Sequence, residues 1–97
     1  YIQSPTYLKV FWMKIEGFDW DDGNWPKCAK HGLSKRAIEF ALSGEITIFD
    51  DPVAPAIETR FRAIGNDGAG RMIFIVFCFR HKQGKTFLRP ISARYMH

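Results

Sequence analysis

Glu58, Arg60 and Arg62 stand at alternate positions, so on a strand they would share one face, a carboxylate beside two guanidinium groups. Such a set can take a proton next to a bound anion, or it can be a plain cross-strand ion pair. Arg89 and Arg94 add planar forks that bind two phosphate oxygens at once and keep their charge, and Ser92 adds a hydroxyl. Arg60, Arg89 and Arg94 are the candidate anion-holding trio, with Arg62 and Arg71 as weaker contributors. For each arginine a solvated strand face is the competing explanation, and for Ser92 a satisfied strand-end hydroxyl. Tyr95, beside Arg94, is the aromatic best placed to stack on an unpaired base, whereas Trp20, Trp25 and Phe61 read as core. An imidazole titrates near about pH 6.5, which suits His31 to acid or base work; at a helix end it can instead bond the last carbonyls. His81, in a turn, and His97 read as surface residues. No histidines or carboxylates have metal-ligand spacing, so neither metal nor cofactor is expected.

These groups sit in a polarised chain. Residues 1–59 carry six Lys and Arg against nine Asp and Glu, a net of −3, and residues 60–97 carry eight against one, a net of +7, which together give +4. Asp67 is the one carboxylate beyond Glu58. A basic half of this kind attracts polyanions, which makes nucleic acid or an acidic protein the first partners to consider.

The elements that must position these residues belong to one domain, since 97 residues with 46% hydrophobic content and nine Phe suffice for a single core. Residues 1–13 form a possible extension and residues 14–97 the domain. Lys14 to Trp20 reads as a strand, followed by a short helix capped by Asp21 or Asp22 and stopped at Gly32. Ser34 caps a second helix, Lys35 to Ser43, and the two make a helical hairpin. Strands are expected at Glu45 to Phe49, Glu58 to Ile64, Met72 to Phe79 and Thr86 to Ala93, with a proline-bearing loop from Asp50 to Ala56 and a hairpin connection from Gly65 to Gly70. Met72 to Phe79 is apolar at both parities, which predicts a central strand covered on both faces, with Phe74 in the core. Pro90 should force a bulge or an edge position, and Arg94 to His97 a helix or exit segment. The order implies an α+β fold, with the N-terminal strand and the helical hairpin packed on an antiparallel meander sheet. Cys28 and Cys78 lie in apolar contexts and read as free, buried thiols of a reducing compartment. No apolar run reaches the roughly 18 residues of a membrane helix, and Val10 to Met13 is too short for a signal core, so the expected location is the cytoplasm.

Phe18-Asp19-Trp20, His31-Gly32-Leu33-Ser34, Glu58 and Arg60 before Gly65, and Arg89-Pro90-Ile91-Ser92-Ala93-Arg94, in that order and spacing, resemble the BrnT family of bacterial toxins. The resemblance covers about residues 14–97. It implies a RelE-like small ribonuclease fold, metal-independent endoribonuclease activity on RNA, and inhibition by a BrnA-like ribbon-helix-helix antitoxin, through which alone DNA would be met. Lys27, Ala37 and Pro90 depart from the usual pattern, and the chain stops at His97 where relatives continue into a C-terminal helix. Metal-free cleavage requires a base for the 2′-hydroxyl, cations for the phosphorane and an acid for the 5′-oxygen. Glu58, Arg60, Arg89, Ser92, Arg94 and His31 are the candidates for these tasks, the last being the one histidine inside a family motif. A non-catalytic module that binds nucleic acid through the same arginines is the alternative.

Overall fold

The computed structural model describes residues 15–44, 46–51 and 58–96, so the possible extension at residues 1–13 lies outside the described residues. Strands β1 (Ile15–Phe18), β2 (Thr47–Asp50), β3 (Phe61–Asn66), β4 (Met72–Lys82) and β5 (Lys85–Tyr95) form one sheet in the order β1-β5-β4-β3-β2. The helices are α1 (Trp25–Ala29) and α2 (Lys35–Ser43). β2 to β5 are the expected antiparallel meander, but β1 joins β5 in parallel, so the sheet is mixed rather than antiparallel throughout.

Helix α2 follows its local chemistry closely. The Ser34 hydroxyl accepts the Ala37 amide at 3.1 Å, Gly44 ends the run, and Ile38, Ala41 and Leu42 are buried. Helix α1 starts later than Asp21 or Asp22, because Pro26 fits the first turn, where its missing N–H has no partner to serve. Gly32, at φ +84°, turns the chain after it, as a residue with a Cβ would resist doing. α2 lies across β3 and β4, and α1 lies along β5.

Strand parity then divides the sheet. Ile48, Ala63, Ile73, Ile75, Phe77 and Ala93 point to the helices and are buried with Ile38, Leu42 and Leu88. Gly65 is required here, since a Cβ would stand 2.9 Å from the Ala41 carbonyl of α2. Arg62, Phe74, Val76, Ser92 and Arg94 point to the other face and are half-buried or exposed. Phe74 is therefore not a core ring, because β4 is fully covered on one face only. Phe77 holds the core position, 5.6 Å from both Phe61 and Phe79.

β5 runs on past β1, whose last partner is Leu88. Asn24, buried in front of α1, closes the gap. Its amide donates to the Pro90 carbonyl at 2.7 Å and to the Asp19 carbonyl at 2.8 Å, while its oxygen accepts the Asp21 amide at 2.8 Å. The N–H and C=O of a strand residue point the same way, so the donor that Pro90 lacks would also have faced this edge, not β4. Opposite, β4 steps from Val76 (with Ser92) to Phe77 (with Pro90), leaving Ile91 as the bulged residue expected near Pro90. Arg94 and Tyr95 remain strand rather than starting a helix.

Arg89 ties the β1–α1 loop to β5. It donates to Asp19 at 3.0 Å and to Asp21 at 2.9 and 3.1 Å, and Lys82 also reaches Asp19 at 2.9 Å. The Lys82 hydrogen bond, opposed by desolvation and aided by Arg89, holds the Asp19 carboxyl below its usual range, and the Arg89 hydrogen bond does the same for Asp21.

Phe77→Ala should cost about 3–5 kcal/mol in urea unfolding, and Phe74→Ala clearly less, since only the first opens a closed cavity. Depressed carboxylates stabilise above their unfolded pKa and lose that contribution as pH falls through the folded values. The gap in melting temperature between the wild type and Arg89→Gln should therefore be full above about pH 5 and close as the pH drops below about 4. A gap that stays constant with pH would show that these pairs add no stability.

Candidate active site

The carboxylates of the acidic half neutralise much of the basic half. Arg62 donates to Asp51 Oδ1 from Nε at 3.1 Å and Nη2 at 3.0 Å. Glu58 takes Arg60 Nε at 2.8 Å on one oxygen and Arg80 Nη1 at 2.9 Å on the other. These bonds, Arg60 first and Arg80 second, hold the Glu58 carboxyl below its usual range and make it a weaker base. With Arg89 held by Asp19 and Asp21, two members of the expected trio, Arg60 and Arg89, are committed to ion pairs.

Arg60, Arg89 and Arg94 do not meet beside Glu58. Arg89 and Arg94 share a sheet face, yet Arg89 stands opposite Cys78 and Arg94 opposite Phe74, four residues and about 13 Å apart along β4. The Glu58 group lies at the Cys78 end, where it lines a hollow with Thr59, Phe61, Phe79, Arg80 and His81. Arg80 also donates to Cys78 Sγ at 3.3 Å, so side chains rather than a helix cover this thiol. Burial pushes the Cys78 thiol up and the Cys28 thiol up to about 11, as befits buried filler.

At the other end the arrangement differs. Lys27, Lys30 and His31 from α1 and its following turn meet Phe74 of β4 and Ser92, Ala93 and Arg94 of β5 around a cleft of about 310 Å³. A second hollow of about 320 Å³ adjoins it through His31 and Arg94 and is lined also by Arg71 and Tyr95. Neither is lined by a carboxylate among the described residues. Among the described residues Arg94 forms no ion pair; its guanidinium carbon lies 5.2 Å from the Phe74 ring centre, a contact worth about 0.5–1 kcal/mol at an exposed site. Arg71 stacks on Tyr95 at 3.6 Å.

The fold explains the grouping. The bulge at Ile91 resets the parity of β5, so that Arg89, Ser92 and Arg94 all project from the face of Phe74 while Ala93 turns inward. Asn24 docks α1 against the free edge, and Lys27, Lys30 and His31, three and four residues apart, fall on one side of the helical path. That spacing was legible as a basic cluster. Lys27, Lys30 and Phe74 were not foreseen as parts of a site, because which edge the helix would border depends on the parallel pairing of β1. The indole of Trp20 donates to Glu39 at 2.8 Å and packs edge-on against Trp25 at 5.3 Å, which are core-side roles as expected. His81 sits apart, bonded to Thr86 at 3.0 Å. Among the described residues no three His, Cys, Asp or Glu side chains gather as a metal site requires. Nor does any of the described helices have the length and apolarity to cross a membrane.

A cleft with four cationic or ionisable nitrogen groups, a hydroxyl and, among the described residues, no carboxylate can hold an anion beside a group able to carry a proton. The family model for BrnT, ribonuclease toxin of type II toxin-antitoxin systems, matches residues 20–97, which takes in every residue of this cleft. No curated protein and no solved structure matches the chain. With that match spanning most of its length, the chain belongs to the BrnT family of ribonuclease toxins, which act in type II toxin-antitoxin systems.

Proposed function

We propose that the cleft of His31, Ser92 and Arg94 is where this toxin cuts RNA, by metal-independent attack of a 2′-hydroxyl on the adjacent phosphate. Arg94 is the observation that carries this reading. Among the described residues its guanidinium forms no ion pair, and the cleft it shares with an imidazole and a hydroxyl is lined by no carboxylate. The 2′ proton passes to His31 as the bond from the 2′-oxygen to phosphorus forms. The bond to the 5′-oxygen then breaks, that oxygen takes a proton from solvent, and a cyclic phosphate remains. Arg94, with Lys27 and Lys30 nearby, neutralises the charge that grows on the phosphorane, and Ser92 donates to a phosphate oxygen. Arg71 and Tyr95 border the path of the flanking nucleotides, and Arg62, held by Asp51, stands at the side of the sheet face.

Glu58, Arg60 and Arg89 support this site from their ion pairs instead of touching the reacting atoms. We further read the sheet and its two helices as the RelE-like small ribonuclease fold that the resemblance implies. The toxin would act in the cytoplasm, arresting growth until a BrnA-like, ribbon-helix-helix antitoxin binds it and carries the pair to DNA.

His31→Ala and Arg94→Ala should each lower cleavage of an all-ribose oligonucleotide by about 10²-fold or more, with a melting temperature within a few degrees of wild type. A single deoxyribose at the scissile position should stop cleavage there, and chelators should not. Cutting both oligonucleotides equally fast would refute 2′-hydroxyl attack. Salt-sensitive binding of RNA with no cleavage at all would establish the non-catalytic alternative.

A further inference from the structure

The geometry points to Phe74 as a nucleobase-stacking subsite, which takes the base of an unpaired nucleotide whose phosphate lies on Arg94. This rests on the reading of the cleft as the RNA site and adds the part of the ligand that a phosphate pocket leaves unrecognised.

The other core-region aromatics are engaged already. Phe61, Phe77 and Phe79 pack on one another at 5.6 Å, and Trp20 and Trp25 at 5.3 Å. Tyr95, the obvious stacking candidate from sequence, has Arg71 against it at 3.6 Å, leaving a base little room on that side. Phe74 differs. It is half-buried on the face away from the helices, it lines the cleft with His31, Ser92 and Arg94, and its ring neighbours are guanidinium groups at a loose distance. Arg94 lies 5.2 Å and Arg62 6.0 Å from its centre, close to the limit of about 6 Å at which such contacts count.

These two arginines are not equivalent. Arg62 is fixed by Asp51 through two nitrogens, while Arg94 is tied by no carboxylate among the described residues. Arg94 can therefore leave the ring for a phosphate, and the ring face it frees can accept a flat base. A nucleotide carries base and phosphate on one ribose, and Phe74 and Arg94 stand directly opposite each other on adjacent strands. The register thus puts a stacking surface and an anion holder at neighbouring positions. Stacking of this kind tolerates any base, which suits a site that offers few groups to read base edges.

The test measures binding without cleavage, using a short single-stranded oligonucleotide with 2′-O-methyl ribose throughout and the same backbone carrying abasic positions. Phe74→Leu should weaken binding of the base-bearing chain about tenfold and of the abasic chain by less than about twofold. Phe74→Trp should bind the base-bearing chain at least as well as wild type and show tryptophan quenching on binding that wild type lacks. Equal losses on both chains, or none on the base-bearing one, would overturn the subsite. If Phe74→Leu fails to fold, absence of the extra quenching in Phe74→Trp overturns it as well. Because no bond is cut, failure of the 2′-hydroxyl mechanism would appear only in the cleavage assays and leave this result readable.

Discussion

The site depends on how the carboxylates of the acidic half are shared among the cations of the basic half. Asp19 and Asp21 hold Arg89 and Lys82, Asp51 holds Arg62, and Glu58 holds Arg60 and Arg80. Each pair is individually modest where water reaches it, yet together they decide which positive charge stays available. Outside these pairs, at the C-terminal end of β5, stand Arg94 and Arg71, joined by Lys27, Lys30 and His31 from the helix side. The net charge of +7 beyond Glu58 is thus not a uniform basic surface but a largely paired stretch with Arg94 outside any ion pair among the described residues.

Two backbone devices put the ionisable groups at that end. Asn24 satisfies the Pro90 carbonyl that β1 leaves unpaired, and in doing so holds α1 beside β5. An unsatisfied buried carbonyl costs about 1–3 kcal/mol, so this one amide is worth more to the docking than any single exposed ion pair. The bulge at Ile91 is the second device. Without it, Ser92 and Arg94 would turn toward the core and Ala93 toward the cleft, because one residue of register exchanges the two faces.

Signals confined to a few consecutive residues were legible in the sequence. Ser34 and Gly44 bracketed α2 to the residue, parity separated Arg62 from Ala63, and Pro90 announced the bulge. What required distant partners was not. The parallel pairing of β1 with β5 has no local signature, and it alone determines which stretch of β5 lies open to α1. Parity alone sets Arg89 and Arg94 on opposite faces of an unbroken strand; the bulge at Ile91 brings both to the face of Phe74, and no local signal tells which end of that face each occupies. Phe74 misled for a related reason. A strand apolar at both parities was read as covered on both faces, whereas arginine side chains are the partners of Phe74 and Cys78 on the second one.

Gathering several cations in one cleft disfavours the folded, ligand-free protein, since like charges in a cleft repel more strongly than they do in bulk water. Any polyanion that enters removes that repulsion and binds the folded state alone, which raises stability by mass action. RNA held there as proposed would do so transiently. A protein partner with an acidic segment would do it more durably and would exclude RNA by occupying the same charge. On the proposed reading, activity and its neutralisation share a single electrostatic feature: the charge that Arg94 would offer a phosphate would also make this end of the sheet the natural place to be covered.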